Sequence, residues 1–327
     1  MVINKSMSRV VVGIITYENF TAKYLPYFLQ SLKKQTFQNF ELLVFDNSEK
    51  KEDNNNSIIN EYFPNVKLQG VKKNLGFARA YNFLIREARD AKADYFFVIN
   101  PDLILEPDVL ELLVKEMDGN KDLGSVCPKI LRWNFINNQK TNIIDSNGIK
   151  LKSGLRFFDV GQGEVDHGQF DKTEIVGPSG AAGFYRLSAL EGIKENDQYF
   201  DELMFMYKED CDLAYRLQLA GFKSKCIAEA LVYHDRTGKG KGEGDVEIIK
   251  NRSQKSRQVK EWSFLNQQII FIKYWHLLNF VDKMNVLIFK FKMFIFILLF
   301  EQYLLKQFGE LKKIKDKVKV YKKSSEF

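Results

Sequence analysis

Three groups of side chains in this 327-residue sequence have the residue types and the spacing needed to bind a metal ion or to transfer a proton. The first is the motif Asn100-Pro101-Asp102, whose carboxylate could hold a divalent cation. The second is Glu209–Asp212, which places three carboxylates where a helix is predicted to begin. The third is His234, a candidate metal ligand, which is followed in a glycine-rich segment by the cationic residues Arg236, Lys239 and Lys241.

Each group also has an ordinary structural interpretation. Asn-Pro-Asp is a common turn, acidic residues are favoured in the first turn of a helix by its dipole, and a Gly/Lys segment is often a surface loop. If the groups are functional, a carboxylate of the acidic run could act as a general base, and the cations after His234 could meet a leaving diphosphate. Where the three groups lie in the fold decides between the structural and the functional interpretation.

The first 130 residues predict strands and helices in alternation. Apolar, β-branched runs predict buried parallel strands, and apolar residues at helical spacing predict the helices between them. This order is typical of an α/β fold with a mainly parallel, doubly wound sheet. The predicted strands are Arg9–Tyr17, Glu41–Asp46, Val66–Val71, Tyr95–Ile99 and Leu123–Ile130, and the predicted helices are Lys23–Gln35, Ser57–Tyr62, Phe77–Ala91 and Pro107–Met117.

Polar residues fall where four of these strands end. Because ligands of such sheets bind beyond the carboxyl ends of the strands, we expect these residues to surround one crevice. Any one of them alone could be a helix cap or an Asx-turn. The residues are Thr16, Asp46–Ser48, Asn74, and Asn100 together with Asp102.

The sequence after residue 130 predicts hairpins, a loop of small residues, a helix and a last strand. Ser146–Gly168 contains glycine turns, and Gly177–Gly183 consists mostly of small residues. Phe205–Gly221 is predicted to be helical at its core, and Lys223–Tyr233 is predicted to be a strand followed by His234. The acidic run at the start of that helix is expected to lie opposite the small-residue loop.

Two classes of nucleotide-binding protein are disfavoured because their motifs are missing. A nicotinamide-dependent oxidoreductase should carry Gly-x-Gly-x-x-Gly after its first strand, where this sequence has only Gly13, inside the strand. The Walker A pattern is also absent. A bound nucleoside diphosphate would therefore need another partner for its charge, such as a divalent cation.

Composition and charge narrow the function further. The sequence is 45% hydrophobic with only six prolines, so it can bury a core. Residues 250–327 contain 17 Lys+Arg and 6 Asp+Glu, so this segment is basic. Residues 1–249 contain 32 Lys+Arg and 36 Asp+Glu, so the rest of the chain is slightly acidic. A nucleic-acid-binding domain, by contrast, is usually basic throughout. Three separated cysteines indicate a reducing cytoplasm, and the polar N-terminus is unlike a secretory signal.

Taken in order, the motifs over about residues 9–240 resemble the inverting glycosyltransferases of family 2, especially the bacterial rhamnosyltransferase-like branch. The resemblance implies the A-type glycosyltransferase fold. We expect a catalytic domain over residues 1–250, with a nucleotide-sugar-binding half at 9–130 and an acceptor-binding half at 131–250. The motifs are Asp46–Ser48, Asn74–Ala78 with Asn82, Asn100–Asp102, Gly180–Gly183 with Arg186, Phe200–Glu202, Glu209–Asp212 with Arg216 and Gly221, and His234.

The resemblance also implies a donor site and a cofactor. Asp102 would bind Mg²⁺ or Mn²⁺ bridging the diphosphate of a dTDP- or UDP-linked sugar, with His234 as a further ligand. Many relatives have Asp where this sequence has Asn100, so Asn100 is expected to contact ribose or a coordinated water. Besides these two residues of the turn, the implied donor contacts are Thr16 and Asp46 at the base or ribose, and Asn74 and Gly76 in the pocket wall.

On the acceptor side, the resemblance implies that Asp210 is the general base. It would deprotonate an acceptor hydroxyl that attacks the anomeric carbon from the face opposite the leaving group, which inverts the configuration. Glu209 or Asp212 could share that role, because adjacent carboxylates cannot be separated from the sequence. The other acceptor-side candidates are Gly180, Ala181 and Arg216.

The C-terminal extension, residues 251–327, is basic and predicted to be helical. Its longest apolar run, Met293–Phe300, is too short to span a bilayer. Apolar residues beside the lysine-rich segment Lys306–Lys323 favour a peripheral anchor on an anionic membrane at the inner face of the cell membrane. The other interpretation is a helix packed on the domain or in a homodimer.

The leading hypothesis from the sequence is therefore a sugar transferase that builds a surface polysaccharide or another glycan, with a glycan or lipid-linked acceptor and no nucleic-acid partner. The alternative is a non-catalytic protein of the same fold that docks on membranes. Asp102 and the acidic run favour the enzyme, since a binding protein would have no reason to keep them.

Overall fold

A computed structural model describes residues 8–50, 54–66, 68–236 and 256–321. The strands are β1 Val10–Thr16, β2 Phe40–Asp46, β3 Leu68–Gly70, β4 Tyr95–Ile99, β5 Leu103–Leu105, β6 Leu123–Asn134, β7 Gln139–Ser146, β8 Ile149–Lys152, β9 Arg156–Asp159, β10 Ala182–Arg186 and β11 Lys223–Asp235. The helices are α1 Glu18–Ala22, α2 Leu25–Lys33, α3 Asn55–Tyr62, α4 Gly76–Asp90, α5 Val109–Gly119, α6 Leu187–Ile193, α7 Glu209–Leu219, α8 Arg257–Tyr274, α9 Phe280–Phe300 and α10 Lys306–Ile314.

The central sheet has the strand order β3-β2-β1-β4-β10-β6-β11-β5, with β7 paired to β6. Strands β3, β2, β1 and β4 run parallel, as do β6 and β11. Strand β10 lies between the two parallel groups and is antiparallel to both neighbours. The predicted parallel, doubly wound half is confirmed, but the complete sheet is mixed because β10, β5 and β7 pair antiparallel to their neighbours.

The two faces of the sheet are both covered by helices because successive residues of a strand point to opposite faces. Val10, Val12 and Ile14 of β1 pack in one apolar cluster with residues of α2 and α5. Val11 packs in a second cluster on the other face, with residues of α4, α6 and α7. Because β1, β2 and β4 run parallel, their carboxyl ends lie at one edge of the sheet.

Strand β11 is two residues longer than predicted and includes His234 rather than ending before it. Its last residues pair with both β5 and β6, so the imidazole is held by a sheet and not by a loop. The predicted cations Lys239 and Lys241 lie outside the described residues, as does the end of the lysine-rich segment after residue 321.

The C-terminal helices divide into a packed part and an exposed part. Helix α8 buries Ile269, Ile270 and Tyr274 in a third apolar cluster that also includes residues of α7. Helix α9 leaves large apolar side chains in solvent, although Val286 and Ile297 are buried. The exposed apolar side chains of α9 are Phe280, Val281, Met284, Leu287, Ile288, Phe291, Phe294, Ile295, Leu298, Leu299 and Phe300. No helix in the described part of the chain is long and apolar enough to cross a membrane.

Candidate active site

The carboxyl ends of the strands border a cleft of 480 Å³. Most of the candidate residues line it, although they come from five separate segments of the sequence. Thr16, Asp46, Gly76, Asp212 and Arg216 are not among its lining residues. Those that line it are Asn74, Asn100, Asp102, Gly180, Ala181, Glu209, Asp210 and His234.

Thr16 and Asp46 lie side by side at the ends of β1 and β2, where they are register partners. The Thr16 hydroxyl donates a hydrogen bond of 2.8 Å to Asp46 Oδ1, and the Ser48 hydroxyl donates another of 2.7 Å to the same oxygen. These bonds fix the chain at the two strand ends. Their neighbours Tyr17 and Asn47 form part of the cleft wall.

Asn47 and Asn74 shape the turn that enters α4. Asn47 donates to the carbonyl of Gly76 at 3.1 Å, and Asn74 Oδ1 accepts from the Gly76 amide at 2.9 Å. Gly76 has φ +77°, and a Cβ added there would lie 2.4 Å from the Phe205 carbonyl oxygen. Gly76 is therefore required by the backbone of the turn, while Asn74 borders the cleft.

His234 lies between two carboxylates. Its Nε2 is 3.3 Å from Asp102 Oδ2, and its Nδ1 is 2.8 Å from Asp145 Oδ2. Burial by itself would lower the pKa of His234, but in the metal-free protein the charges of Asp102 and Asp145 outweigh it and raise the pKa to about 10. A cation bound at Nε2 would displace the proton held there. Burial would likewise raise the pKa of Asp145, but Arg236 and His234 keep it below its ordinary value.

Asp102 and His234 fit a cation that is shared with a diphosphate. Asp102 Oδ1 is buried and has no hydrogen-bond partner. In the described part of the chain, no three His, Cys, Asp or Glu side chains form a metal cage by themselves. Mg²⁺ in nucleotide sites is commonly held by one or two carboxylates, with substrate phosphates and water as the other ligands, and this pair of side chains suits that arrangement.

The first turn of α7 presents two carboxylates of different character to the cleft. Asp210 Oδ2 accepts a 2.9 Å hydrogen bond from the Gly180 amide, and its Oδ1 accepts one of 2.8 Å from the Cys211 amide. Glu209 is only 4% exposed, and its Oε2 has no hydrogen-bond partner. Burial, together with the nearby charge of Asp210, raises the pKa of Glu209 well above its ordinary value, which favours its neutral form.

Two adjacent residues tie Asp210 to the Asn100-Pro101-Asp102 turn. The amide of Gly180 binds Asp210, and the carbonyl of Ala181 accepts a 2.9 Å hydrogen bond from the Asn100 amide. The small-residue loop before β10 thus touches both chemical groups of the cleft.

Asp212 and Arg216 lie away from the cleft, in a buried network that we call the rear cluster and that consists of Asp201, Asp212, Arg216, Lys273 and Tyr274. Asp212 Oδ1 contacts Lys273 Nζ at 2.8 Å and the Tyr274 hydroxyl at 2.7 Å, and its Oδ2 accepts from Arg216 Nε at 2.9 Å. Burial opposes its charge, but Lys273 and Arg216 prevail and lower the pKa of Asp212 to about 2. The cluster joins α7 to α8.

Several residues in the cleft wall or directly behind it were not found from the sequence. Asp145, on β7, is 1% exposed, and nothing in its local pattern marks it as a partner of His234. Trp262 lines the cleft from α8, in the segment interpreted from the sequence as an extension. Its ring stacks against Phe205 with centroids 5.0 Å apart, and Asn266 on the same helix donates to the carbonyls of Met206 and Tyr207. Helix α8 is thus part of the cleft wall.

The sequence profile of Glycosyl transferase family 2 matches residues 11–192, which is more than half of the chain. The chain belongs to glycosyl transferase family 2. As a family 2 glycosyltransferase it has the A-type fold, which agrees with the mixed, largely parallel sheet described above. No curated protein matches the sequence.

Solved structures of glycosyltransferases share this fold at low sequence identity. GalNAc-T7 with UDP, GalNAc and Mn²⁺ aligns with a TM-score of 0.59 and 14% identity, covering 82% of this family 2 chain and 49% of its own. Staphylococcus aureus TarS 1-349 with UDP-GlcNAc gives 0.52 and 19%, covering 81% and 65%. Pyrobaculum calidifontis PcManGT with GDP-Man and Mn²⁺ gives 0.51 and 13%, covering 94% and 75%. In other TarS structures the chain spans 44–60% of the length.

Proposed function

We propose that this family 2 enzyme transfers a sugar from a nucleoside-diphosphate donor to a glycan or lipid-linked acceptor, with inversion at the anomeric carbon. The observation that carries the proposal is that one cleft contains both Asp210 and the Asp102–His234 pair. The first is suited to take a proton from an acceptor hydroxyl, and the second is suited to hold a cation on a diphosphate.

The donor is proposed to lie at residues 9–130, which contain the parallel strand ends. Thr16 and Asp46 would shape the base and ribose site, and Asn74 and Asn100 would line the donor pocket. Solved structures of fold relatives contain UDP, UDP-GlcNAc and GDP-Man, which supports a nucleotide-sugar donor in general. A UDP- or dTDP-linked sugar, with rhamnose as the first candidate, follows from the resemblance to the rhamnosyltransferase-like branch alone.

Asp102 and His234 would hold Mg²⁺ or Mn²⁺, which would neutralise the charge that develops on the leaving diphosphate. The buried, unpaired Oδ1 of Asp102 supports this assignment. The solved structures of two fold relatives, GalNAc-T7 and PcManGT, contain Mn²⁺.

Asp210 would act as the general base. As the acceptor oxygen forms its bond to the anomeric carbon, the hydroxyl proton passes to the Asp210 carboxylate and the bond to the diphosphate oxygen breaks. The amides of Gly180 and Cys211 orient the carboxylate. Glu209 is less suited to this role because burial and the charge of Asp210 raise its pKa, which disfavours the ionised form that a base needs, and Asp212 is held in ion pairs outside the cleft.

The central experiment is a screen of nucleotide sugars for hydrolysis or transfer by the wild-type enzyme with Mn²⁺ and with EDTA. We expect a UDP- or dTDP-linked sugar to react only with metal, and the matching nucleoside diphosphate with Mn²⁺ to raise the melting temperature. Product NMR should show an anomeric configuration opposite to that of the donor. Turnover that is unaffected by EDTA would contradict the cation assignment, and retention of configuration would contradict the single-displacement mechanism.

We also propose that α9 binds an anionic membrane at the cytoplasmic face, next to a lipid-linked acceptor in the half formed by residues 131–250. Phe291 and Leu299 of α9 are 67% and 66% exposed. Exposed lysines in α9 and in the segment after it supply positive charge, and they are Lys292, Lys306, Lys312, Lys313, Lys315, Lys317 and Lys319. Two of them are paired with carboxylates, Lys306 with Glu261 and Lys313 with Glu310. An apolar helix face with flanking lysines is what interfacial binding to anionic lipid requires.

Removal of the whole extension would disturb the fold, because Val286, Ile297 and Leu304 are buried. A Phe291→Ser/Leu299→Ser double variant is a cleaner test, with Ile136→Ser as a control at another exposed apolar residue. The double variant should lose sedimentation with phosphatidylglycerol vesicles while the control keeps it. Unchanged vesicle binding refutes the anchor, and a wild-type dimer that the double variant dissociates would instead assign α9 to a homodimer interface.

A further inference from the structure

Asp145 is a fully buried carboxylate that touches two residues of the cleft. It lies near the end of β7 and is 1% exposed. Its Oδ2 lies 2.8 Å from His234 Nδ1, and its Oδ1 lies 3.2 Å from Arg236 Nε. The second contact has the distance of an ion pair without the angle of a hydrogen bond. Each oxygen of one carboxylate thus serves a different side chain.

The contact with His234 decides which way its imidazole faces. The two ring nitrogens of histidine are distinct, and the partner of one fixes what the other presents. With Nδ1–H donated to Asp145, Nε2 faces Asp102 at 3.3 Å. Metal-ligating histidines generally donate their other ring N–H to a carboxylate or carbonyl, and loss of that partner weakens metal affinity or activity about 10–100-fold.

The second contact of Asp145 is with Arg236, which lines the same cleft as His234. The Arg236 side chain lines the cleft and stays 38% exposed, while its Nε lies against buried Asp145. A guanidinium anchored through Nε keeps its outer N–H groups for a second partner, and Arg binds phosphate oxygens in that way.

We propose that Asp145 is a positioning residue that sets His234 toward the cation and Arg236 toward the leaving diphosphate, so that one buried carboxylate couples the two. This inference rests on the proposed function. Strand β7 contributes no lining residue to the cleft. Through Asp145 it would nevertheless help to stabilise the leaving nucleoside diphosphate.

A purely structural ion pair is the alternative, and the chain offers a matched case. Lys129, 4% exposed, contacts Asp166 at 2.9 Å and Asp171 at 2.6 Å, and none of the three lines the cleft. Asp166→Asn therefore removes a buried ionic contact without touching His234 or Arg236. It serves as the control for Asp145→Asn.

The test measures Mn²⁺ binding by electron paramagnetic resonance in the presence of UDP, together with KM and kcat for the reactive donor. Asp145→Asn should raise the half-saturating Mn²⁺ concentration about tenfold or more and raise the donor KM, whereas Asp166→Asn should leave both within about twofold of wild type. In a His234→Gln background, Asp145→Asn should have less than about a third of its effect on Mn²⁺. An unchanged Mn²⁺ requirement, or an equal effect in both backgrounds, overturns the proposal.

A second, spectroscopic measurement tests the role of Asp145 independently of the proposed function. The chain has three histidines, so ¹⁵N NMR can resolve the His234 ring and assign it with His234→Gln. In the wild-type protein, Nδ1 of His234 should carry a slowly exchanging proton that Asp145→Asn, if it folds, makes exchange faster. If no nucleoside diphosphate binds with Mn²⁺, the proposed function fails while this signal still reports the coupling. An unprotonated or freely exchanging Nδ1 in the wild type refutes the positioning role.

Discussion

The two acidic regions on either side of α7 differ in how completely their polar atoms are paired. In the rear cluster, Asp212 has partners at both oxygens. In the cleft, Asp102 Oδ1 and Glu209 Oε2 are buried without hydrogen-bond partners. Buried polar groups in folded proteins are nearly always paired, so each exception needs an explanation. The difference indicates that the rear cluster is complete in the folded chain, whereas the cleft is completed by a ligand.

The same helix carries both regions because Asp210 and Asp212 are two residues apart. At about 100° per residue, side chains at this spacing point to nearly opposite sides of a helix. Asp210 therefore faces the cleft and the Gly180 amide, while Asp212 faces α8. Variants at the two positions should separate function from stability.

The largest effect is expected for Asp210→Asn. Loss of a general base should lower kcat about 10²–10⁴-fold. The asparagine can still accept the Gly180 hydrogen bond, so the melting temperature should stay close to that of wild type. Steady-state transfer assays and thermal unfolding measure the two quantities. If this variant transferred sugar at the wild-type rate, Asp210 would not be the base.

The converse result is expected for Asp212→Asn. Breaking a buried ion pair from one side leaves Arg216 and Lys273 undercompensated, which should lower the free energy of unfolding by about 3–5 kcal/mol. Urea-induced unfolding measures this. If Asp212→Asn does not fold, Tyr274→Phe removes one hydrogen bond of the same carboxylate and should cost about 1 kcal/mol. Wild-type stability in both variants would contradict the structural role of the rear cluster.

The rear cluster should also contribute to acid unfolding. The pKa of Asp212 is lowered to about 2 by Lys273 and Arg216 despite its burial, below its ordinary value of 3.8. Its stabilisation is therefore present above about pH 4 and lost as the pH falls toward 2, and is worth about 2 kcal/mol. The difference in unfolding free energy between wild type and Asp212→Asn should shrink by that amount from pH 4 to pH 2. A constant difference would show that Asp212 keeps its ordinary pKa.

Two glycines that face α7 offer a further pair of variants, one for stability and one for turnover. A Cβ at Gly177 would lie 2.4 Å from Ala214 Cβ, so Gly177→Ala should lower stability by about 1–3 kcal/mol. A Cβ at Gly180 would lie 3.2 Å from Asp210 Oδ2, so Gly180→Ala should move the carboxylate slightly and lower kcat by about tenfold or less. Unfolding and turnover assays should show that Gly177→Ala mainly lowers stability and Gly180→Ala mainly lowers kcat. If both variants lost stability and turnover alike, the two faces of α7 would not differ in function.

Much of the fold could be predicted because its strands are local signals. The apolar runs of β1 and β4 were located to within one residue at each end. Strand β10 was missed because Ala182–Arg186 follows a run of small residues and becomes a strand only by pairing with β4 and β6. Such pairing depends on segments far apart in the sequence.

The lining of the cleft was predicted in part from the strand ends, since Thr16 and Asp46 at the ends of β1 and β2 do not line it. Asn100 and Asp102 follow β4 and line the cleft as expected. Asp145 could not be found, because its partner His234 lies 89 residues away. The i,i+4 spacing of Asp212 and Arg216 was an available sign of an ion pair within the helix. That sign would have assigned Asp212 to an ion pair with Arg216 and left Asp210 as the candidate base.

The contacts of Gly180 and Ala181 have a consequence for how the sequence can vary. Two adjacent residues link Asp210 to the Asn100-Pro101-Asp102 turn, so the span between those groups is set by the backbone of Gly180 and Ala181 and not by the chain between them. Insertions or deletions in residues 160–175 would leave that span unchanged. The segment before β10 can therefore vary in sequence while the reacting groups keep their separation, although Asp166 and Asp171 within it hold the buried Lys129.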